Sequence, residues 1–481
     1  PYNGLDDDCI GGDSCDLDGD GVSAAAGECG GTDCDDSDPT RFSTGPIEVP
    51  TQAPTIQAAV DALCEDGRVD VLAGTYPETV DLGERDIDVV GVGSDVVTVN
   101  GVAQGPVFTM TRGRLEGMTL TQGSAVDGGG VRIVGGVGVE LVDLVVYDNT
   151  ATHAGGGIAI LDAGGTTTID NVRIDNNTTT GTTTGSDGGG LYIDNSRVVA
   201  TDLVLHGNST RGEGGGLHMA PTALPFIGTR ITASANEALE RGGVSLRDAT
   251  LTDLVVTGNT ATSALGAGVI RDSEVFGLMA SDNETTGSFQ STLQLIDTDA
   301  RDITYTRNTG GQRGLVLEGN DTVATHVTAV DNLHDRTVAL VRGAELTDAV
   351  IANNNGLGID MGTGGGTDQL VSHVTVAYNN GHGVLIGAQS NLALIDSIIA
   401  YNDGTGIARN PTSTAQPSYV LLWGNGTAAN FAVSDPQRID ANPQFTDTSG
   451  AMASSWDLSV QSGSPAEGSA SDGLDRGALT P

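Results

Sequence analysis

The chain has 481 residues, of which 38% are hydrophobic, so it can bury a large core, and its length alone allows two to four domains. Its formal net charge is -42 and its pI about 4.1; it has no lysine, all 21 basic residues being Arg. That balance makes nucleic acid and anionic membrane poor partners, because counterion release needs a basic patch, and it excludes lysine catalysis. With no run of about 18 apolar residues, no membrane insertion is expected. A start at Pro1 without a charged and apolar leader reads as a mature, soluble form from which an export signal has been removed.

The first 40 residues hold eleven Asp and Glu28 with neither Lys nor Arg, a segment that repels itself unless a cation cancels the charge. In CDLDGDGV, residues 15–22, Asp16, Asp18 and Asp20 alternate before Gly21. Alternate carboxylates on a tight loop can turn toward one point, which suits Ca2+ and its all-oxygen shell. The run matches the first half of an EF-hand loop, with the carbonyl of Val22 in the next ligand position. The second half departs from it, since Gly27 stands where a bidentate Glu belongs. The remaining oxygens are therefore assigned to Asp33, Asp35, Asp36 or Asp38. Cys9, Cys15, Cys29 and Cys34 lie in the same segment and read as local disulfides formed in an oxidising compartment. Of the three possible pairings, Cys9 with Cys15 and Cys29 with Cys34 is favoured. Cys64 is left over and reads as a buried free thiol. It ends PTIQAAVDALC, where Ile56, Val60 and Leu63 are spaced for one face of a short helix near 55–64.

From about residue 120 the sequence repeats every 22 to 31 residues, with Asn at 149, 177, 208, 236, 259, 283, 308, 332, 354, 379 and 402. Each Asn closes a short alternating run such as DLVVYDN, DLVLHGN or HVTVAYN. After most of them comes a glycine-led run such as GGGIAI, GGGLYI or GGGLHM. Short strands at a fixed period, with no helix-length pattern, predict an all-β parallel β-helix solenoid. About fourteen coils spaced about 4.8 Å apart make a rod about 65 Å long. The recurring Asn reads as a corner ladder whose amides bond those above and below, a structural part rather than a reaction centre.

Three resemblances follow from these motifs. NGLDDDC, DLDGDG and DCDDSDP together resemble the acidic metal-binding motif of large secreted myxobacterial proteins, which implies that Asn3, Asp6 and Asp8 join Asp16, Asp18, Asp20, Asp33, Asp35, Asp36 and Asp38 as ligands. The repeats resemble right-handed parallel β-helix proteins of the pectate-lyase-like superfamily. In rhythm they are also similar to chlamydial polymorphic outer-membrane proteins. TIQAAVDAL followed by VDVLAGTYPETVDL is similar to the entry of that fold, where an amphipathic helix caps the first coil. ANPQFTDTSG, WDLSVQSGSPA and DRGALTP are similar to its closing segment. The domain reading is then 1–45 for the calcium-binding segment, 46–433 for the solenoid and 434–481 for the closing segment, with Trp423 and Trp456 packed over the last coil.

The superfamily spans lyases, hydrolases, adhesins and surface-layer components, so the fold does not choose among them. The hydrolase signatures of this fold do not assemble in the sequence, and RNPTSTAQP lacks the second Arg of the lyase pattern. No catalytic or cofactor-binding residue is assigned. One row stands out: six residues before the ladder Asn are Asp143, Asn171, Asp202, Arg230, Asp253, Gly277, Asp302, His326, Asp348, His373 and Asp396. In register these form one outward stripe whose last four members alternate His and Asp. The plainer reading makes them polar residues at strand starts, satisfying corner backbone groups. His153, His206, His218, His334 and His382 occur singly and read as surface or corner residues.

These readings favour a secreted or cell-surface bacterial protein with a structural or adhesive role. It would self-associate or bind a cell-surface glycan, and its acidic segment would cap the solenoid or clasp a neighbour to form a filament. A non-enzymatic role ranks first. The alternative is a carbohydrate-active enzyme, a polysaccharide lyase or glycoside hydrolase, whose acidic substrate would be repelled by the net charge unless calcium bridged the two.

Overall fold

The computed structural model describes residues 15–17, 23–24, 31, 33, 37–38, 46–63, 66–181, 185–287, 290–362, 368–450 and 452–478. The chain forms two compact units. The first is Pro1–Gly181, Gly190–Val204 and Thr222–Leu224; the second is Thr182–Gly189, Leu205–Pro221 and Pro225–Pro481. Both are parallel β-solenoid, and the α-helix among the described residues is Ile56–Ala62.

In the first unit that helix buries Ile56, Ala59, Val60 and Ala62. Thr55 caps its start, accepting from the Ala58 amide at 3.0 Å. The Glu78 carboxylate takes the next two free amides, of Ile56 and Gln57, at 2.9 and 2.8 Å. Arg85 closes the other end by donating to the Val60 and Leu63 carbonyls. Coils follow in strict register, as where Gly67–Val71 pairs with Ile87–Gly91. A second face stacks Val80–Asp81, Phe108–Met110, Val131–Val134, Ile158–Leu161 and Leu191–Asp194. Alternation along each strand sends Phe108, Met110, Ile133 and Ile160 inside, all fully buried.

The second unit stacks ten such strands on the corresponding face, from Leu217–Met219 to Thr427–Ala429, among the described residues. Its longest strands, such as Phe226–Ser234, Ala249–Thr257 and Val323–Val330, bend in the middle. The bend falls at the residue six before the ladder Asn. Arg230, Asp253, Asp302, His326, Asp348, His373 and Asp396 all have φ between 50° and 58°, as do Asp143, Asn171 and Asp202 in the first unit. Within the second unit the row is in register from Arg230 to His373, and it lies at corners inside or between strands rather than at strand starts. The left-handed conformation needed at each corner favours Asp, Asn and Gly, which explains the composition of the row.

The Asn ladder runs inside the next corner. Asn236, Asn259, Asn283, Asn308, Asn332, Asn354, Asn379 and Asn402 are at most 1% exposed. Each amide donates to the Oδ1 of the Asn on the next coil, as from Asn283 to Asn308 at 2.9 Å. The ladder continues to Asn425, which accepts from Asn402 and which the period read from sequence omits.

Tyr305 lies inside the second unit with His334, which the sequence reads as a single surface or corner residue and which is 2% exposed. His334 Nδ1 donates to the Gly310 carbonyl at 2.6 Å, so Nε2 accepts from the Tyr305 hydroxyl at 2.9 Å. Burial pulls the imidazole down to about 4. A neutral His with a depressed folded pKa stabilises the fold above the unfolded value of about 6.5, and that stability is lost as pH falls toward 4. Between pH 7 and pH 4.5 the protein should lose about 2.5 kcal/mol more than a His334→Gln variant, measured by urea unfolding at the two pH values.

Beyond Asn425 the chain turns back along the side of the second unit. The antiparallel pair Phe445–Asp447 and Asp457–Val460 lies over outward-facing Val330, Ala352, Ala377 and Ala400. Trp456 meets Tyr378 edge-on at 5.2 Å, and Tyr378 stacks on Tyr401 at 4.9 Å. Trp456 therefore packs on the flank of several coils rather than over the last one, while Trp423 remains 39% exposed.

Candidate functional site

The second unit carries a cleft of about 520 Å³. One wall is a row of corners. Gly188 and Gly214, at φ 65° and 68°, turn the chain after Asp187 and Glu213. On the following coil Arg241, at φ 59°, holds the same kind of corner. Asp187 Oδ1 accepts from the Glu213 amide at 2.8 Å, and Glu213 bridges to Glu240, so the acidic residues of the row are stacked coil on coil. The floor is the strand Leu217–Met219. Leu217 and Met219 are inside the solenoid, so the intervening His218 faces the cleft, in register with Ser245.

His218 is only 5% exposed. Its Nε2 lies 3.9 Å from Asp187 Oδ2 and its Nδ1 lies 3.8 Å from Glu213 Oε2. Glu213 pairs with Arg241, whose guanidinium also reaches Ser245 Oγ at 3.5 Å. Arg247 donates to the Pro221 carbonyl at 3.1 Å and stands in register with Arg271. Four of the chain's 21 arginines, Arg211, Arg241, Arg247 and Arg271, thus line one cleft with three carboxylates. Burial above all, then repulsion from Arg271 and Arg247, pulls Arg241 down to about 10, with Asp187 opposing. The cleft holds a local excess of positive charge that an anion would relieve.

None of these residues is singled out by the sequence reading, which takes His218 as a single surface or corner residue. Asp187 and Glu213 each stand just before a glycine run, in SDGGG and GEGGG, and that repeated acid is the signal that could have located the cleft. The residues that the sequence reading does single out fall elsewhere. Of the assigned calcium ligands, Asn3, Asp6, Asp8, Asp18, Asp20, Val22, Asp35 and Asp36 lie outside the described residues, while Asp16, Asp33 and Asp38 lie within them. Asp33 is 1% exposed; its amide bonds the Ser23 carbonyl at 3.1 Å, and it bridges to Ala24, which in turn bonds Cys15. Cys9, Cys29, Cys34 and Cys64 also lie outside the described residues, and with them both disulfide pairings and the free thiol.

The stripe divides into two clusters. Exposed His326 sits 3.1 Å from Asp302 and 3.8 Å from Asp348. The half-sheltered His373 sits 3.8 Å from Asp396 and 3.2 Å from Asp472. Asp472 comes from the returning C-terminal segment, a proximity that no periodicity reveals.

No family model and no curated protein matches the chain. Among solved structures it is similar to the catalytic unit of a thermostable GH87 alpha-1,3-glucanase from Streptomyces thermodiastaticus, with 15% identity, a TM-score of 0.36 and coverage of 86% of this chain and 72% of that one. It is similar to a periplasmic alginate epimerase, at 13% identity and a TM-score of 0.32, over 78% of this chain and 75% of that one. A mannuronic acid specific polysaccharide family 6 lyase from human gut microbiota matches at 11% identity and a TM-score of 0.32, over 76% of this chain and 86% of that one. What is shared is the fold. That fold is the parallel β-solenoid. The ranking that placed a non-enzymatic role first finds no support in these matches, which are themselves enzymes and share with this chain the fold alone. No substrate and no catalytic residue carries over from them at such identities. No helix among the described residues is long and apolar enough to cross a membrane.

Proposed function

We propose that the chain is an extracellular carbohydrate-active enzyme acting on an acidic polysaccharide, with the arginine-lined cleft as its site. The observation that carries this reading is His218, buried and flanked by two carboxylates, in a cleft that concentrates four arginines on a chain of net charge -42. A polyanion repelled by the rest of the surface is attracted there. Guanidinium groups bind a uronate carboxylate in bidentate fashion, and neutralising that carboxylate acidifies the hydrogen on the adjacent carbon. His218 takes that proton as general base through Nε2, with the Glu213 carboxylate beside Nδ1 to stabilise the imidazolium that forms. The C4–O bond breaks as the C4=C5 double bond forms, and the proton passes to the departing oxygen. Incubation with uronate polymers and with neutral glucans, followed by the ultraviolet absorbance of the unsaturated product, tests the reading. Product from a uronate polymer alone is expected; neither cleavage nor binding of any uronate polymer would overturn it.

The acidic N-terminal segment is proposed as a Ca2+ site. Its donor set is all oxygen, which suits a hard cation, and Asp33 is drawn out of solvent beside the Ala24 bridge. Chelation is expected to lower the melting temperature by several degrees and calcium to restore it. Melting that ignores both additions counts against the site.

A further inference from the structure

His373, Asp396 and Asp472 form, among the described residues, the one group of side chains that could hold a metal ion, their ligand atoms lying within 4.8 Å of one another. We propose that this is a binding site for a zinc-class divalent cation, which clamps the returning C-terminal segment to the flank of the second unit. Calcium is a poor fit, because imidazole with two carboxylates suits borderline first-row ions.

Three observations carry the proposal independently of the cleft. The first is spacing. Ligand atoms about 2.0–2.2 Å from a tetrahedral zinc lie about 3.3–3.6 Å apart. His373 Nε2 stands 3.2 Å from Asp472 Oδ2 and 3.8 Å from Asp396 Oδ2, so both separations lie within a few tenths of an ångström of that range. The second is His373 Nε2 itself, which is shielded from solvent and has no hydrogen-bond partner although it points between the two carboxylates. The third is the outer support. The Asp396 side chain is 2% exposed, and its two oxygens accept from the Ser471 amide at 2.6 Å and the Ser471 hydroxyl at 2.5 Å. Ligating carboxylates are held in this manner: the Ser471 hydroxyl fixes the orientation of Oδ2, the oxygen that faces His373, and leaves its second lone pair for the metal.

The charge balance points the same way. Two carboxylates, one of them fully buried, meet one imidazole. Nearby Arg476 commits its hydrogen bonds to the Ser469 and Val420 carbonyls rather than to the pair. A divalent cation would cancel the remaining negative charge. It would also join residues 75 positions or more apart in sequence, at the point where the C-terminal segment meets the solenoid.

The test uses the whole chain, stripped with chelator and titrated with zinc while calcium is held constant. One equivalent of zinc is expected to raise the melting temperature by several degrees and to slow protease cleavage between residues 440 and 478. Asp472→Asn, at a half-exposed position, should weaken zinc binding at least tenfold without altering the metal-free melting curve, and His373→Ala should abolish it. Asp302→Asn, in the exposed cluster around His326, should change neither. Zinc binding that survives both Asp472→Asn and His373→Ala would place the ion elsewhere and overturn the proposal. So would zinc that leaves melting and proteolysis of the parent chain unchanged.

Discussion

Asn332→Ala should destabilise the second unit by about 3–5 kcal/mol, one of the two largest effects expected from a single substitution in this chain. The Asn332 side chain donates to the Tyr305 and Val330 carbonyls and to Asn354 Oδ1, each at 3.0 Å. Its Oδ1 accepts from the Asn308 amide at 3.0 Å and from Asn308 Nδ2 at 3.3 Å. All of this lies at 0% exposure, where water cannot replace a lost partner. Alanine leaves at least two buried backbone groups unsatisfied, and each costs about 1–3 kcal/mol. Neighbouring rungs share the loss, because Asn308 and Asn354 are positioned by the same bonds. The exposed Asn380, whose side chain reaches only Asn355 at 3.3 Å, is the control; Asn380→Ala should shift stability by no more than about 0.5 kcal/mol. Urea unfolding of both variants decides the matter. Equal stabilities would mean that the ladder follows from strand pairing and does not support it.

Arg241→Gly should leave the fold intact and cost about a hundredfold in affinity for an oligouronate, as expected for one lost charge-assisted bidentate contact. The substitution separates structure from function unusually well. Arg241 occupies a left-handed corner at φ 59°, where a side chain is strained and where Gly188 and Gly214 serve the coils before it. Glycine therefore suits the backbone while removing the guanidinium that meets Glu213 and Ser245. The melting temperature should hold or rise slightly. His218→Ala, by contrast, should reduce turnover by about 10²–10⁴ with a small change in affinity, as loss of a general base does. Titration calorimetry and initial rates on the same oligomer distinguish the two. Undiminished affinity in Arg241→Gly would exclude the cleft as the site, even if the protein proved active.

The fold was legible because its signals are local and repeated. A residue that must adopt positive φ, an Asn that must bond the rung above and strands that must alternate all recur with the coil, so they appear in the sequence as a period. The row ending in His326, Asp348, His373 and Asp396 was visible for that reason, although its cause was misread: a corner inside or between strands, not a strand start, selects those residues. Asn425 escapes the period because its run, VLLWGN, has Tyr419 at the corner where the other runs have Asp, Asn, His, Arg or Gly.

The functional surface obeys no such period. His218 reads as one isolated histidine in sequence; it becomes a cleft residue because stacking at the coil spacing brings Asp187 and Glu213 within 4 Å of it and sets Arg241 against Glu213. Asp472 reads as a surface acid near the end of the chain, and only the return of that segment along the solenoid delivers it to His373. The outward apolar residues Val330, Ala352 and Ala377 resemble ordinary strand positions until the segment carrying Phe445, Trp456 and Leu458 covers them. By itself the sequence determined the repeat, the parallel solenoid, the corner chemistry and the helix that begins it, all of which depend on residues near one another in the chain. The tertiary structure alone decided which charges meet. A solenoid converts separations of about 25 residues into neighbours at strand spacing, and a back-folded segment joins residues 75 apart, with nothing periodic to announce either meeting.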